Sequence, residues 1–212
     1  MRHFIMRRLH SLTGILFGGY LIVHLLVNAT LVQGRSPDVY QNQVNKIHDL
    51  PFLPLIEWTF IYIPILFHGI YGTYIAFCGR PNNANYPYEK NWYYLVQRIS
   101  AILLIFFILF HVLTMKGVFG DGPLTFDPHR ATDTAIAHIN HNGFIAWVVY
   151  PLGVLAATVH LANGFWTAGI TWGLTVSASA QRRWGFVCFL LFLLTFGAGM
   201  TAWLVAVSGW TL

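Results

Sequence analysis

Five stretches of this chain, 9–34, 58–79, 99–115, 134–181 and 184–212, contain no aspartate, glutamate, lysine or arginine. A helix needs about 20 mainly apolar residues to cross a bilayer, so windows of this kind point to a membrane-embedded fold. With 56% hydrophobic, 17% aromatic and only 9% charged residues, an ordinary soluble domain is excluded. The fourth window is long enough for two helices. Past about Ala168 it turns into Gly169-Ile170-Thr171-Trp172-Gly173 and Ser177-Ala178-Ser179-Ala180-Gln181, too short and polar to cross again, so one helix and a loop are expected. The expected fold is all-α: a single transmembrane domain over residues 1–212, with five helices at about 9–32, 53–79, 94–116, 143–168 and 184–208.

Met1-Arg2-His3-Phe4-Ile5-Met6-Arg7-Arg8 has the charge of a signal-peptide start, but the apolar run behind it is long and lacks a small-residue cleavage pattern, so a retained first helix is expected. Cys78 and Cys188 fall near expected helix ends and read as small buried packing residues rather than a disulfide or metal site.

Five spans make the loops alternate between two sides. One side carries Arg2, Arg7, Arg8, Arg80, Lys90, Arg98, Arg182 and Arg183 against Glu89. The other carries Arg35, Lys46, Lys116 and Arg130 against Asp38, Asp49, Glu57, Asp121, Asp127 and Asp133. The lysine and arginine bias places the N-terminus in the cytoplasm and the C-terminus outside. Topology thus accounts for the net charge of +5 without nucleic acid as a partner, and leaves a basic cytoplasmic face on which a soluble partner can dock.

Four histidines, His24, His68, His111 and His160, lie inside four different apolar stretches. An imidazole in hydrocarbon is an expensive polar group that asks for a partner, and haem iron is the obvious one. With outer helix ends at about Val32, Leu53, Lys116 and Gly143, His24 and His111 lie 8 and 5 residues below the outer surface, His68 and His160 15 and 17. At 1.5 Å per residue the two levels differ by about 14 Å. Two imidazole nitrogens on opposite sides of one iron are about 4 Å apart, so partners must be level. His24 then pairs with His111 at an outer haem, and His68 with His160 at an inner one, stacked along the membrane normal. Iron with two histidines has no free axial position and is left with electron transfer.

Gly72 and Gly164 each follow an inner-pair histidine by four residues on the same helix face, where a larger side chain would meet a porphyrin. Gly14, Gly18 and Gly19 thin one flank of the first helix; close helix packing explains glycines equally well. Histidines hydrogen-bonded across helices are the alternative for the four buried imidazoles, and two level pairs weigh against it. A proton relay would recruit intramembrane carboxylates, and Glu57, at a boundary, is the only candidate. His3, His48, His129, His138 and His141 fall in terminal or loop positions and are expected to be solvated or interfacial. His10 and Ser11 open the first helix at the level where an inner haem directs its propionates, and Arg98 enters the third helix on the same side as a counter-ion.

The run Arg7-Arg8-Leu9-His10-Ser11-Leu12 leading to Tyr20-Leu21-Ile22-Val23-His24-Leu25, then Phe67-His68-Gly69-Ile70-Tyr71-Gly72-Thr73-Tyr74-Ile75-Ala76-Phe77, resembles the two-haem cytochrome b558 subunits of Bacillus-type succinate dehydrogenases. So do Asn91-Trp92 with Gln97-Arg98, and His160-Leu161-Ala162-Asn163-Gly164-Phe165-Trp166 continuing to Thr171-Trp172-Gly173-Leu174-Thr175. Four of the five expected helices carry the resemblance. The fifth helix and the outer loop from about Gly120 to His141 carry no matching motif.

The resemblance implies a five-helix anchor in a bacterial plasma membrane with two haem b groups. It implies a flavoprotein subunit with FAD and an iron-sulfur subunit on the cytoplasmic side, and electrons passing between succinate or fumarate and menaquinone as part of the tricarboxylic acid cycle and electron transport. The family's axial ligands fall on His24, His68, His111 and His160, and its inner propionate contacts on His10 and Ser11. Glu57, at the outer start of the second helix, is then the carboxylate expected to handle quinone protons; a helix-start acid favoured by the dipole is the plainer reading. Rival expectations are a quinol:fumarate reductase anchor, a dihaem subunit of a hydrogenase or formate dehydrogenase, and a haem-free membrane transporter or assembly protein.

Overall fold

The computed structural model describes residues 2–34, 38–79, 82–120 and 122–209, with only the backbone of Arg2. Arg35, Arg80 and Asp121 of the loop-charge count lie outside the described residues. Described elements are α1 (Arg2–Ala29), α2 (Val39–His48), α3 (Leu53–Glu57), α4 (Ile63–Cys78), α5 (Glu89–Met115), α6 (Ala131–Ile139), α7 (Tyr150–Thr171) and α8 (Ala178–Ser208). A 3-10 turn, Thr30–Gln33, continues α1, and another, Pro128–Arg130, leads into α6.

Five continuous helical stretches are long and apolar enough to cross a membrane: His3–Gln33, Leu53–Cys78, Glu89–Met115, Ile145–Thr171 and Ala178–Ser208. They overrun the charge-free windows, and Glu89, Lys90, Arg182 and Arg183 are helical. A charge-free window measures apolar depth, whereas a helix continues into the headgroup layer on side chains that snorkel to water. Large apolar side chains such as Ile70 (72% exposed), Phe77 (77%) and Phe106 (70%) lie on protein surface, as lipid contact requires.

Two spans widen into a π turn, at Trp58–Tyr62 and at Ile145–Val149, and in each case a proline, Pro64 or Pro151, follows two residues later. Proline has no N–H to give and crowds the carbonyl one turn back; a wide turn relieves that crowding without breaking the helix. At its far end α7 closes in a Schellman motif. Gly173, at φ +74°, bonds to the Ile170 carbonyl at 3.1 Å, and Leu174 to that of Gly169 at 2.9 Å, so the helix runs three residues past the expected Ala168.

The chain divides into two compact units: Met1–Tyr20, Ile56–Ile105 and Ala156–Leu194; and Leu21–Leu55, Phe106–Leu155 and Thr195–Leu212. In the first, α1 approaches α7 closely because Gly18 has no side chain: a Cβ there would lie 2.8 Å from Leu161 and 2.9 Å from Phe165. Trp184 Nε1 donates to the Phe165 carbonyl at 2.9 Å. This unit holds Arg7, Arg8, Lys90, Arg98, Arg182 and Arg183 against Glu57 and Glu89.

The second unit packs Leu31, Tyr40, Val44, Ala131, Ala135, Ala202 and Val205 into one core. Two helices of the connecting segments cap it. Asp38 is the N-cap of α2, its Oδ1 accepting from Gln41 N at 3.0 Å and from the Thr132 hydroxyl at 2.9 Å. Gln41 then ties α2 to the segment before α6, donating to the Pro128 carbonyl and accepting from Ala131 N, both at 2.7 Å. This unit holds Lys46, Lys116 and Arg130 against Asp38, Asp49, Asp127 and Asp133.

Two expectations about packing are corrected. His138, expected to be solvated in a loop, is 0% exposed on α6, because that helix folds its apolar face into the second unit. Cys78, expected to be buried, is exposed at the last turn of α4, while Cys188 is buried.

Candidate functional site: two histidine pairs

In the first unit, His68 of α4 and His160 of α7 face each other with ring centroids 6.1 Å apart and planes at 88°. His68 Nδ1 lies 2.9 Å from the His10 carbonyl oxygen. A carbonyl only accepts, so Nδ1 carries the proton and Nε2 the lone pair. The His10 ring stacks on His68 at 4.0 Å and 11°. Two glycines open the space: a Cβ at Gly14 would lie 2.6 Å from His68 Cε1, and one at Gly72 3.0 Å from His10 Cε1. Gly72 thus makes room for His10, whereas Gly164 adjoins Gln97 Nε2 at an ordinary 3.5 Å.

His160 is oriented by α5. The Ser100 hydroxyl gives its single proton to the Gln97 carbonyl at 3.1 Å and stands 3.2 Å from His160 Nδ1, so the imidazole donates there and Nε2 carries the lone pair. Gln97 Nε2 lies 3.3 Å from that Nε2 and 3.2 Å from the His160 carbonyl oxygen. Asn163 fixes Gln97 in turn, donating to its Oε1 at 2.8 Å.

Close by are two unsatisfied buried donors or acceptors, His10 Nδ1 and Arg98 Nη1. Arg98 donates through Nη2 to the Ala76 carbonyl, and its guanidinium lies 5.4 Å over the Tyr94 ring. Ser11 Oγ accepts from Trp172 Nε1 at 3.0 Å. Glu57, half-buried at the end of α3, is near enough to Tyr20 to interact with it electrostatically, as is Tyr62.

In the second unit, His24 of α1 and His111 of α5 have ring centroids 6.0 Å apart and planes at 75°. The Asn28 amide nitrogen lies 3.1 Å from His24 Nε2 and 2.9 Å from the His24 carbonyl oxygen. His111 Nδ1 lies 3.2 Å from the Tyr150 hydroxyl, and its ring stacks on Phe107 at 5.7 Å. His138 packs 6.2 Å from His111, and its Nδ1 donates to the Leu124 carbonyl at 2.6 Å. Burial holds the His138 pKa below the usual histidine value, against the raising effect of that carbonyl.

Both ring separations fit two imidazoles on one metal, a spacing that His111 and His138 share at 6.2 Å. Nitrogens about 4 Å apart across one metal, with each ring centre about 1 Å further back, put the centroids about 6 Å apart. Among the described residues no group of three or more His, Cys, Asp or Glu side chains is arranged to hold a metal. Two imidazoles without a third ligand suit a metal whose four equatorial positions are already filled, as in haem.

Sequence reasoning missed the groups that orient the four rings. Gln97, Ser100 and Asn163 are polar residues at the apolar depth of α5 and α7, a signal that was present. Tyr150 and His138 offered none, one being among 10 tyrosines and the other on a short helix of a connecting segment.

Fold and sites define an all-helical integral membrane protein that brings together a half-buried histidine pair in each of two compact units. The chain is 32% identical over 203 residues to the succinate dehydrogenase cytochrome b558 subunit of Bacillus subtilis (strain 168), covering 95% of this chain and 96% of that protein. It belongs to the family of succinate dehydrogenase cytochrome b558 subunits. No family model and no solved structure matches it.

Proposed function

We propose that this chain is the dihaem membrane anchor of a succinate:menaquinone oxidoreductase, carrying electrons between an iron-sulfur subunit and menaquinone. Family membership makes it a cytochrome b subunit of a succinate dehydrogenase complex, with a role in the membrane beside that complex's other subunits. The observation that carries the finer reading is the pair of ring separations, 6.0 and 6.1 Å, each matching two imidazoles on one iron.

His24 and His111 would hold the outer haem, His68 and His160 the inner one. Haem b held by two such imidazoles would supply one-electron transfer. The protein's part is to keep each ligand in the right tautomer. The His10 carbonyl and Ser100 hold the Nδ1 protons of His68 and His160, which leaves Nε2 of each free to bind a metal. Gln97 and Asn28 donate to lone pairs that a metal would take, so these amides are the groups that yield on loading. Arg98 Nη1 and His10 Nδ1, buried without partners, fit the propionates of the inner haem, with Ser11 at the same helix start.

Glu57 transfers protons at the quinone site. The cationic first unit faces the cytoplasm, where the flavoprotein subunit with FAD and the iron-sulfur subunit dock, and the C-terminus lies outside. Reduced-minus-oxidised spectra of the purified complex test the reading. Two b-type α bands, each lost with one histidine pair, are expected; their absence overturns it.

A further inference from the structure

The second unit buries a polar atom that the ligand scheme does not use. His138 is 0% exposed, its Nδ1 lies 2.6 Å from the Leu124 carbonyl oxygen, and its Nε2 has no hydrogen-bond partner. Since the carbonyl can only accept, His138 is protonated on Nδ1 and presents a bare lone pair on Nε2. Against this imidazole stands Tyr150, 7% exposed, with its ring 5.7 Å away and edge-on at 87°. The Tyr150 hydroxyl in turn lies 3.2 Å from His111 Nδ1. Tyr150 directly follows the π turn Ile145–Val149, and its own N–H bonds back to the Ile145 carbonyl.

A phenol has one proton to give and lone pairs to accept with. If Tyr150 donated to His111, the His111 proton would sit on Nε2, the nitrogen a metal needs, and the His138 lone pair would stay bare. If His111 donates instead, Nε2 is free for the metal and the Tyr150 proton needs another acceptor. The His138 ring that packs against Tyr150 carries an unpartnered acceptor, Nε2, to which the phenol is not hydrogen-bonded in this structure.

We propose that Tyr150 and His138 are positioning residues for His111, joined on haem binding in one directed chain: His111 Nδ1–H to Tyr150 Oη, Tyr150 O–H to His138 Nε2, the one bond of the three not made in this structure, and His138 Nδ1–H to the Leu124 carbonyl. In that order every proton has an acceptor and His111 is locked in its metal-binding tautomer. An acceptor on the outer nitrogen of a metal-bound imidazole makes the ligand more basic and favours the oxidised metal. The chain therefore lowers the potential of the haem that His111 binds and leaves the other haem unaffected.

This inference rests on His111 being a haem ligand, and the test separates the two. The purified complex is titrated potentiometrically through its α bands, with low-spin electron paramagnetic resonance, for H111A, Y150F, H138L, H138Q and Y150F/H138L. H111A should remove one haem; if it removes none, the ligand reading fails. Y150F should keep both haems, raise the midpoint of the one that H111A removes, change its resonance and leave the other in place. H138L should act in the same direction, H138Q less, since its carboxamide oxygen can accept. The double variant should shift no further than Y150F, as residues in one chain are not additive. With one haem lost in H111A, an unmoved midpoint in Y150F, equal shifts of both haems, or additive single shifts overturn the chain. Should H138L fail to assemble, Y150F, which keeps the ring, decides alone.

Discussion

Gly14 of α1 lies against the His68 ring so closely that a Cβ would stand 2.6 Å from Cε1 and 2.8 Å from Nδ1. The first helix thus supplies a bare backbone surface to a side chain of the second span, and its own His10 carbonyl oxygen accepts from the same ring at 2.9 Å. Filling that surface has a defined effect. Overpacking costs about 1–3 kcal/mol, and here the atoms nearest the added Cβ are those of the His68 ring. Gly14→Val should lower the content of the haem bound by His68 while the other remains, read as the loss of one α band. Full content of both haems would mean that α1 yields instead.

The pairing itself is open to direct measurement. Changing His24 or His111 to alanine should remove the same haem, and changing His68 or His160 the other. Spectra in which His24→Ala and His68→Ala remove the same band would break the assignment.

Arg98 buries its Nη1 without a partner. A positive charge beside an iron centre stabilises its reduced, less positive form, so Arg98→Leu should lower the midpoint of the inner haem and Arg98→Lys should lower it less. A redox titration in which only the outer haem moves would remove Arg98 from the inner site.

For Glu57 the expected outcome is a separation of activities. Glu57→Gln should abolish electron transfer from succinate to a menaquinone analogue, while both haem spectra and succinate oxidation by an artificial acceptor persist. Unchanged quinone turnover would leave Glu57 as a helix-end carboxylate.

Asp38 tests the frame rather than the redox centre. Its carboxylate caps α2 and holds the Thr132 hydroxyl of α6. Loss of such a cap costs about 1 kcal/mol, and of a buried hydrogen bond about as much again. Asp38→Ala should lower the Tm of the purified complex by a few degrees, and Asp38→Asn should recover most of it.

The spans were legible because charge-free length has one physical meaning in a chain this apolar. The four histidines stood out as polar groups in hydrocarbon, and counting residues from the helix ends groups the same rings that lie 6.0 and 6.1 Å apart. That count works because a helix converts sequence separation into depth at a fixed rise. His138 was not legible: its burial depends on how α6 folds against Phe110, His111 and Tyr150, contacts that no periodicity encodes. Nor was the stacking of His10 on His68, which needs the space that Gly14 and Gly72 leave across two helices. Cys78 shows the same limit from the other side, since the last turn of α4 leaves its small thiol exposed.

The π turn at Trp58–Tyr62 carries one residue more than a regular helix needs over the same distance. Each residue of an α-helix turns the chain by about 100°, and a surplus absorbed in one wide turn spares the residues before it that rotation relative to those after it. A deletion of one residue within Trp58–Tyr62 would let the span close as a regular α-helix with Glu57 and His68 still in phase, whereas a deletion in the regular stretch of α4 before His68 would swing one end by about 100° relative to the other. Length variation at that spot is therefore tolerated without re-aiming either the carboxylate or the imidazole, and the turn before Tyr150 gives the fourth span the same freedom.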